Sequence, residues 1–168
     1  MKQGSNNVVK EVRLLFVCMG NICRSPTAEA VMRGHVEKAG LEGQVEIDSA
    51  VTHRYNLGNP PDIRAQKSGA RRGYDLSRLR ARLVSETDFA RFDRILAMDR
   101  DNLEILQRDC PPEHRHKLGL FLDYAQGFTE TEVPDPYYGS DAGFEYVLDL
   151  IEDAARGLLE SLRSDDRD

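Results

Sequence analysis

The sequence has no run of roughly 18 apolar residues, the length a membrane-spanning helix needs, and no apolar stretch of signal-peptide type near its start. These two absences predict a soluble, unprocessed chain of the cytoplasm with no membrane partner, export by an unconventional route being left open. Cysteine is scarce. Cys18, Cys23 and Cys110 form neither a disulfide framework nor a paired zinc knuckle, which suits a reducing compartment where thiols are available for chemistry. Positive charge is in deficit, with 23 Lys and Arg against 29 Asp and Glu and a formal net charge of −6. No basic face with interleaved aromatics offsets that field, so nucleic acid is not an expected partner. Internal repeats and dividing linkers are also missing. At 168 residues, 40% hydrophobic and 31% charged, the chain reads as one domain over 1–168 with a real core. Its polar ends, 1–10 and 164–168, are expected to be flexible.

What is present alternates between two periods. Apolar runs at Leu14 to Val17, Val45 to Ile47 and Ile95 to Met98 read as strands, and the stretches between them have helical spacing. This βαβα order predicts a parallel sheet, hence an α/β fold. The first helix places Ala28, Val31, Met32, Val36 and Ala39 on one face and stops at Gly40. Shorter helices are expected near Asp62 to Lys67, at Ser85 to Arg91 and at Asn102 to Arg108, and Lys117 to Leu120 is a possible fourth strand. The last helix carries an apolar stripe of Phe144, Val147, Leu148, Ile151, Ala155, Leu158 and Leu162.

Between the first strand and first helix runs Cys18-Met19-Gly20-Asn21-Ile22-Cys23-Arg24, followed by Ser25-Pro26 as expected N-cap and first helical residue. A loop there holds anions, because backbone N–H groups and the positive end of the helix point at one place. Cys18 is the candidate nucleophile. A helix N-terminus and a nearby Arg lower a thiol from about 8.5 into the range of roughly 3.5–7.5. The five intervening residues can curl their N–H groups around three phosphoryl oxygens while the planar fork of Arg24 clamps two of them. Gly20 tolerates positive φ and Asn21 is the side chain best able to follow it, which suits a sharp curl. Ser25 has two competing uses for one oxygen, a hydrogen bond to the thiolate or the helix cap. Cys23 is either a packing residue or a reversible disulfide partner that protects Cys18 from over-oxidation.

A leaving phenol or alcohol needs a proton, and Val133-Pro134-Asp135-Pro136-Tyr137-Tyr138 offers a donor. Asp135, held between two prolines, is the candidate general acid, a role worth roughly 10²–10⁴ in rate. Tyr137 and Tyr138 offer an apolar wall for an aromatic substrate, or packing beneath the last helix. The stretch 64–82 holds Arg64, Lys67, Arg71, Arg72, Arg78, Arg80 and Arg82 against Asp75 alone. It reads as a solvated basic surface that could attract acidic phosphoprotein segments.

Together with Asp48-Ser49-Ala50, the run Phe92 to Asp99 and Asp135-Pro136-Tyr137-Tyr138-Gly139, the loop from Val17 to Pro26 makes the chain resemble the low-molecular-weight protein tyrosine phosphatases over almost its whole length. The resemblance implies a three-layer α/β fold, a four-stranded parallel sheet flanked by helices on both faces. It implies hydrolysis of phosphotyrosine and small aryl phosphates through a phosphocysteine at Cys18. Arg24 would bind the phosphoryl group, and Asp135 would protonate the leaving oxygen and then activate water, with no metal or other cofactor. By the same resemblance Met19, Gly20, Asn21, Ile22, Cys23, Ser25 and Ser49 form and support the phosphate loop. The implied partner is a phosphotyrosine-containing protein or peptide, inorganic phosphate is the product, and a monomer or weakly self-associating chain is expected. Three positions depart from the pattern. Tyr55, after His53-Arg54, stands where many relatives have Trp on the cleft wall; Leu79 stands for a His that supports the loop; Val51 stands for Gly, and Val does not readily take positive φ.

Rival readings are weaker. Arsenate reduction on this fold would need further cysteines to relay a disulfide outward, and only Cys110 lies beyond the loop. Arg94 to Asp101 ends in Asp-x-Asp like the aspartate-nucleophile, magnesium-dependent phosphatases, but Asn102 lacks the usual next residue type and Asp101 reads as a helix cap. A phosphotyrosine-binding module without activity would lack the nucleophile or the acid, and this sequence has both.

Overall fold

Residues 11–20, 22–137 and 139–167 are described by a computed structural model, with side chains to residue 164. The expected flexible stretch 1–10 and the site candidates Asn21 and Tyr138 lie outside the described residues.

Strand β1 (Val12–Cys18) is central. Its alternation places Leu14 and Phe16 in one half of the core and Leu15 and Val17 in the other, which is why it reads as a continuous apolar run. It pairs in parallel with β2 (Val45–Val51) on one side and β3 (Arg94–Ala97) on the other, and β3 pairs in parallel with β4 (Leu118–Leu120). The order β2-β1-β3-β4 confirms the four-stranded parallel sheet. β2 is longer than its apolar run, because the half-buried Asp48 and Ser49 interrupt the pattern without interrupting the ladder. Val51 is extended and buried there, opposite Cys18, and no non-glycine residue among those described has positive φ.

Helix α1 (Arg24–Lys38) docks Ala28, Val31, Met32 and Val36 on the sheet and is followed by Gly40 at φ 74°, the left-handed residue expected there. It begins two residues earlier than expected. Its N-cap is Cys23 without a side-chain cap, so Ser25 is inside the helix and its hydroxyl is available for the thiol. α2 (Ile63–Arg71) is capped by Asp62, which accepts from Arg64 N at 2.8 Å. α3 (Glu86–Arg91) follows Ser85, whose N–H donates to Asp88 Oδ2 at 2.8 Å. α4 (Arg100–Asp109) is capped by Asp99, not by Asp101, since Asp99 Oδ1 accepts from Asn102 N at 2.8 Å. A 3₁₀ segment at Pro112–Lys117 leads into β4, and another at Phe121–Tyr124 follows it. In α5 (Asp141–Arg167) the whole predicted stripe from Phe144 to Leu162 is buried. Its backbone is helical to Arg167, through residues the sequence reads as a flexible tail.

Helices α1 and α5 cover one face of the sheet, α3 and α4 the other. Burying side chains such as Phe16, Phe92 and Phe121 in these layers contributes about 1.5–3 kcal/mol each. The arginines of stretch 64–82 do not form a solvated surface as a group. Arg72 alone contacts Glu145, Asp149 and Glu152 on α5, and Arg71 pairs with Glu145. The chain leaves β1 toward β2 and later returns on the other side of β1 at β3. Such a reversal opens a crevice at the C-terminal ends of the two strands, where Cys18 ends β1 and Asp99 follows β3.

Candidate active site

Cys18 is fully buried, with Sγ 3.0 Å from Ser25 Oγ, so the competition for that oxygen is decided in favour of the thiol. The loop after it is held from outside by its carbonyls. Met19 O accepts from His53 N at 2.7 Å, Gly20 O from Asn56 Nδ2 at 2.5 Å and Ile22 O from Asp62 N at 3.0 Å. In a trans peptide the N–H points away from the C=O, so the Met19–Gly20 and Ile22–Cys23 peptides turn their N–H groups away from His53 and Asp62, to the inner side of the loop. Buried Asn102 joins the support. With its amide turned so that nitrogen faces Asp99 Oδ1 at 3.0 Å, its oxygen accepts from Met19 N at 3.1 Å.

Burial pushes the Cys18 thiol up, and this outweighs the downward pull of the Ser25 hydroxyl, the Arg24 charge and the Ser25 N–H; Asp135 adds a smaller upward push. The lowered thiol expected from the sequence is therefore corrected. That expectation counts the helix end and the arginine but not the desolvation of a side chain with no exposure. Cys23 is buried among Ala30, Ala65, Leu76 and Phe144, and burial pushes its thiol up as well, in keeping with the packing reading.

Arg24 is 3% exposed and is gripped at one end, Nη1 donating to Asp99 Oδ2 at 2.7 Å and to Val133 O at 3.0 Å. Its Nε is buried and has no partner. The same Val133 opens the loop that carries Asp135, whose Oδ1 accepts from Tyr137 N at 3.0 Å in a turn that orients the carboxyl. Arg64 clasps this loop. It donates to Tyr137 O at 2.7 Å and Gly139 O at 3.2 Å, pairs with Asp62 at 3.0 Å, and lies 4.7 Å from the Phe144 ring centroid. Tyr55, 71% exposed, and Tyr137, 40% exposed, belong to the two segments that flank the site.

Ser49 donates its hydroxyl to Glu29 Oε1 at 2.6 Å, so among the described residues its partner is on α1 rather than in the loop. Glu29 is buried and also accepts from Arg33 at 2.7 Å. Leu79 packs beside the Cys23 cluster and lines a crevice with Ser25, Ser49 and Val51, so this support is apolar. Asp99, Asn102, Glu29 and Arg64 were not among the sequence candidates for the site. Their partners are far along the chain, 75 residues away for Arg24 and Asp99. The one available signal was chemical, a buried-helix position such as Glu29 filled by a carboxylate.

The family model described as low molecular weight phosphotyrosine protein phosphatase matches residues 13–168. A protein of that description from Schizosaccharomyces pombe is 43% identical over 156 residues, covering 92% of this chain and 99% of its own length. One from Homo sapiens is 42% identical over 149 residues, 88% of this chain and 93% of its own. The crystal structure of a protein tyrosine phosphatase from Entamoeba histolytica aligns with a TM-score of 0.90 at 42% identity, over 92% of this chain and 99% of that one. The chain belongs to the low molecular weight phosphotyrosine protein phosphatases.

Within this phosphatase family, the rival chemistries find no support in the side chains. Both Asp99 oxygens are engaged, one by Arg24 and one by Asn102 N, which removes the carboxylate the magnesium-dependent reading requires. Cys110 is buried in the half of the core that holds Leu15 and Val17, across the sheet from Cys18, and cannot relay a disulfide from it.

Proposed function

We propose that this chain hydrolyses phosphotyrosine in proteins and peptides, and small aryl phosphates, through a phosphocysteine at Cys18. The observation that carries the reading is the buried, unpartnered Nε of Arg24 beside inward-facing peptide N–H groups around a thiol. A buried donor without a partner is costly, and a phosphoryl oxygen supplies one.

The entering phosphate dianion takes the proton of the Cys18 thiol, which burial pushes up, and the thiolate attacks phosphorus. As the S–P bond forms, the P–O bond to the phenol breaks and Asp135 gives its proton to the departing oxygen. Asp135, now a carboxylate, takes a proton from water, whose oxygen attacks phosphorus and releases inorganic phosphate and the Cys18 thiolate. Ser25 steadies that thiolate through its hydroxyl. The steps as written use no metal and no other cofactor. The loop from Met19 to Cys23 is assigned to hold the phosphate, and Tyr55 and Tyr137, on the two segments that flank the site, are assigned as the wall for the aromatic ring. Among the described residues no helix is long and apolar enough to cross a membrane. Three free thiols fit work in a reducing cytoplasm, as a monomer or weakly self-associating chain.

The test is a series of aryl phosphates with leaving phenols of graded acidity, turned over with chelator present. Asp135→Asn should slow the poorest leaving groups most. An equal loss across the series would mean that Asp135 acts only through loop structure, and a requirement for magnesium would overturn the mechanism.

A further inference from the structure

The segment 52–57 forms one wall of the cleft, and its charge is unbalanced. It is bonded to the phosphate loop at two points, by His53 N to Met19 O and by Asn56 Nδ2 to Gly20 O. Between these anchors Tyr55 stacks on His53, with centroids 5.4 Å apart and planes at 13°. A Cβ placed on Gly20 would lie 3.1 Å from the Tyr55 ring, so the wall closes directly on the loop. Thr52 Oγ1 lies 3.2 Å from Met19 O and 2.8 Å from His53 Nδ1, which ties the ring that Tyr55 stacks on to the phosphate loop. Arg54 sits between the stacked residues in sequence. It is exposed, and its guanidinium makes no ion pair or hydrogen bond with any described residue. Arg24 and Arg64, which also border the cleft, are neutralised by Asp99 and by Asp62, whereas exposed Arg80 is bonded only to the carbonyls of Ser77 and Leu79.

We propose that Arg54 determines substrate specificity, pairing with a carboxylate one or two residues from the phosphotyrosine of a peptide substrate. The inference rests on the activity proposed above. A phosphotyrosine ring laid against Tyr55 brings its own backbone close to the segment that carries exposed Arg54, the residue before Tyr55 in the chain. Consecutive Cα atoms are about 3.8 Å apart, so the side chains of the nearest one or two residues fall within reach of a guanidinium. The net charge of −6 repels an acidic peptide as a whole, which leaves a local, unneutralised fork as the feature that favours a carboxylate at this place.

The experiment compares kcat/KM for phosphotyrosine peptides identical except for Glu or Gln at the residues flanking phosphotyrosine. An exposed ion pair predicts a preference for Glu of about two- to fivefold, shrinking as salt is raised. Arg54→Gln brings the ratio to one, Arg54→Glu turns the preference toward Lys-flanked peptides, and Arg80→Gln, which removes the same charge from an exposed neighbouring segment, keeps the ratio. No preference in the parent, a preference that survives in Arg54→Gln, or an equal loss in Arg80→Gln overturns the proposal. Absence of turnover on any aryl phosphate would instead overturn the activity beneath it, and the proposal with it.

Discussion

Cys18 and Ser25 meet at 3.0 Å, Sγ to Oγ, and neither has any solvent to fall back on. The Ser25 hydroxyl is the largest of the influences that pull the thiol down against burial. Ser25→Ala removes that pull and leaves desolvation in place, so the thiol should move further up. Alkylation of Cys18 by iodoacetamide, followed by mass spectrometry across pH, should therefore show its midpoint displaced to higher pH; an unchanged or lower midpoint would contradict this role. The residues proposed for the chemistry were legible in the sequence, because Cys18, Arg24 and Ser25 are fixed by spacing within one loop. Residues that hold them were not. Asp99 meets Arg24 across 75 positions, and Ser49 meets Glu29 across 20, and no local pattern announces either.

Helix α5 is the element whose period was clearest, and its stripe is buried as expected. One position on it has another constraint. A Cβ on Gly157 would come 1.8 Å from Tyr124 O and 3.0 Å from Tyr124 C, so the helix and the 3₁₀ segment meet backbone to backbone. Gly157→Ala should therefore cost about 3 kcal/mol or more, the upper end for overpacking, and lower Tm by roughly 6–12 °C. A calorimetric Tm within about 1 °C of the parent would sink this account of the contact. Elements defined by apolar period were readable to within a few residues. Those that failed did so where polar residues serve the tertiary structure: β2 runs on through Asp48 and Ser49, and Asp99, which reads as the end of a strand, caps α4 and grips Arg24.

On the scale of the whole molecule, the order β2-β1-β3-β4 places the ends of β1 and β3 side by side, and the loops that follow them bring Cys18, Arg24 and Asp99 together. The loop carrying Asp135 is then tied in by Arg24 through Val133 O and by Arg64 through Tyr137 O. A βαβα pattern was enough to foresee the parallel sheet. It could not show that Arg64, Arg71, Arg72 and Arg82 of stretch 64–82 would be spent on carboxylates of α5 and on Asp62, Asp48 and Asp88, because most of those partners are brought in by the fold. What the architecture converges on is one sulfur. The direct test is to quench the enzyme rapidly in acid while it turns over an aryl phosphate, and to locate the phosphoryl group by peptide mass spectrometry. The account predicts it on Cys18, with no adduct and no turnover in Cys18→Ser. A phosphoryl group on any other residue, or undiminished turnover by Cys18→Ser, would contradict it.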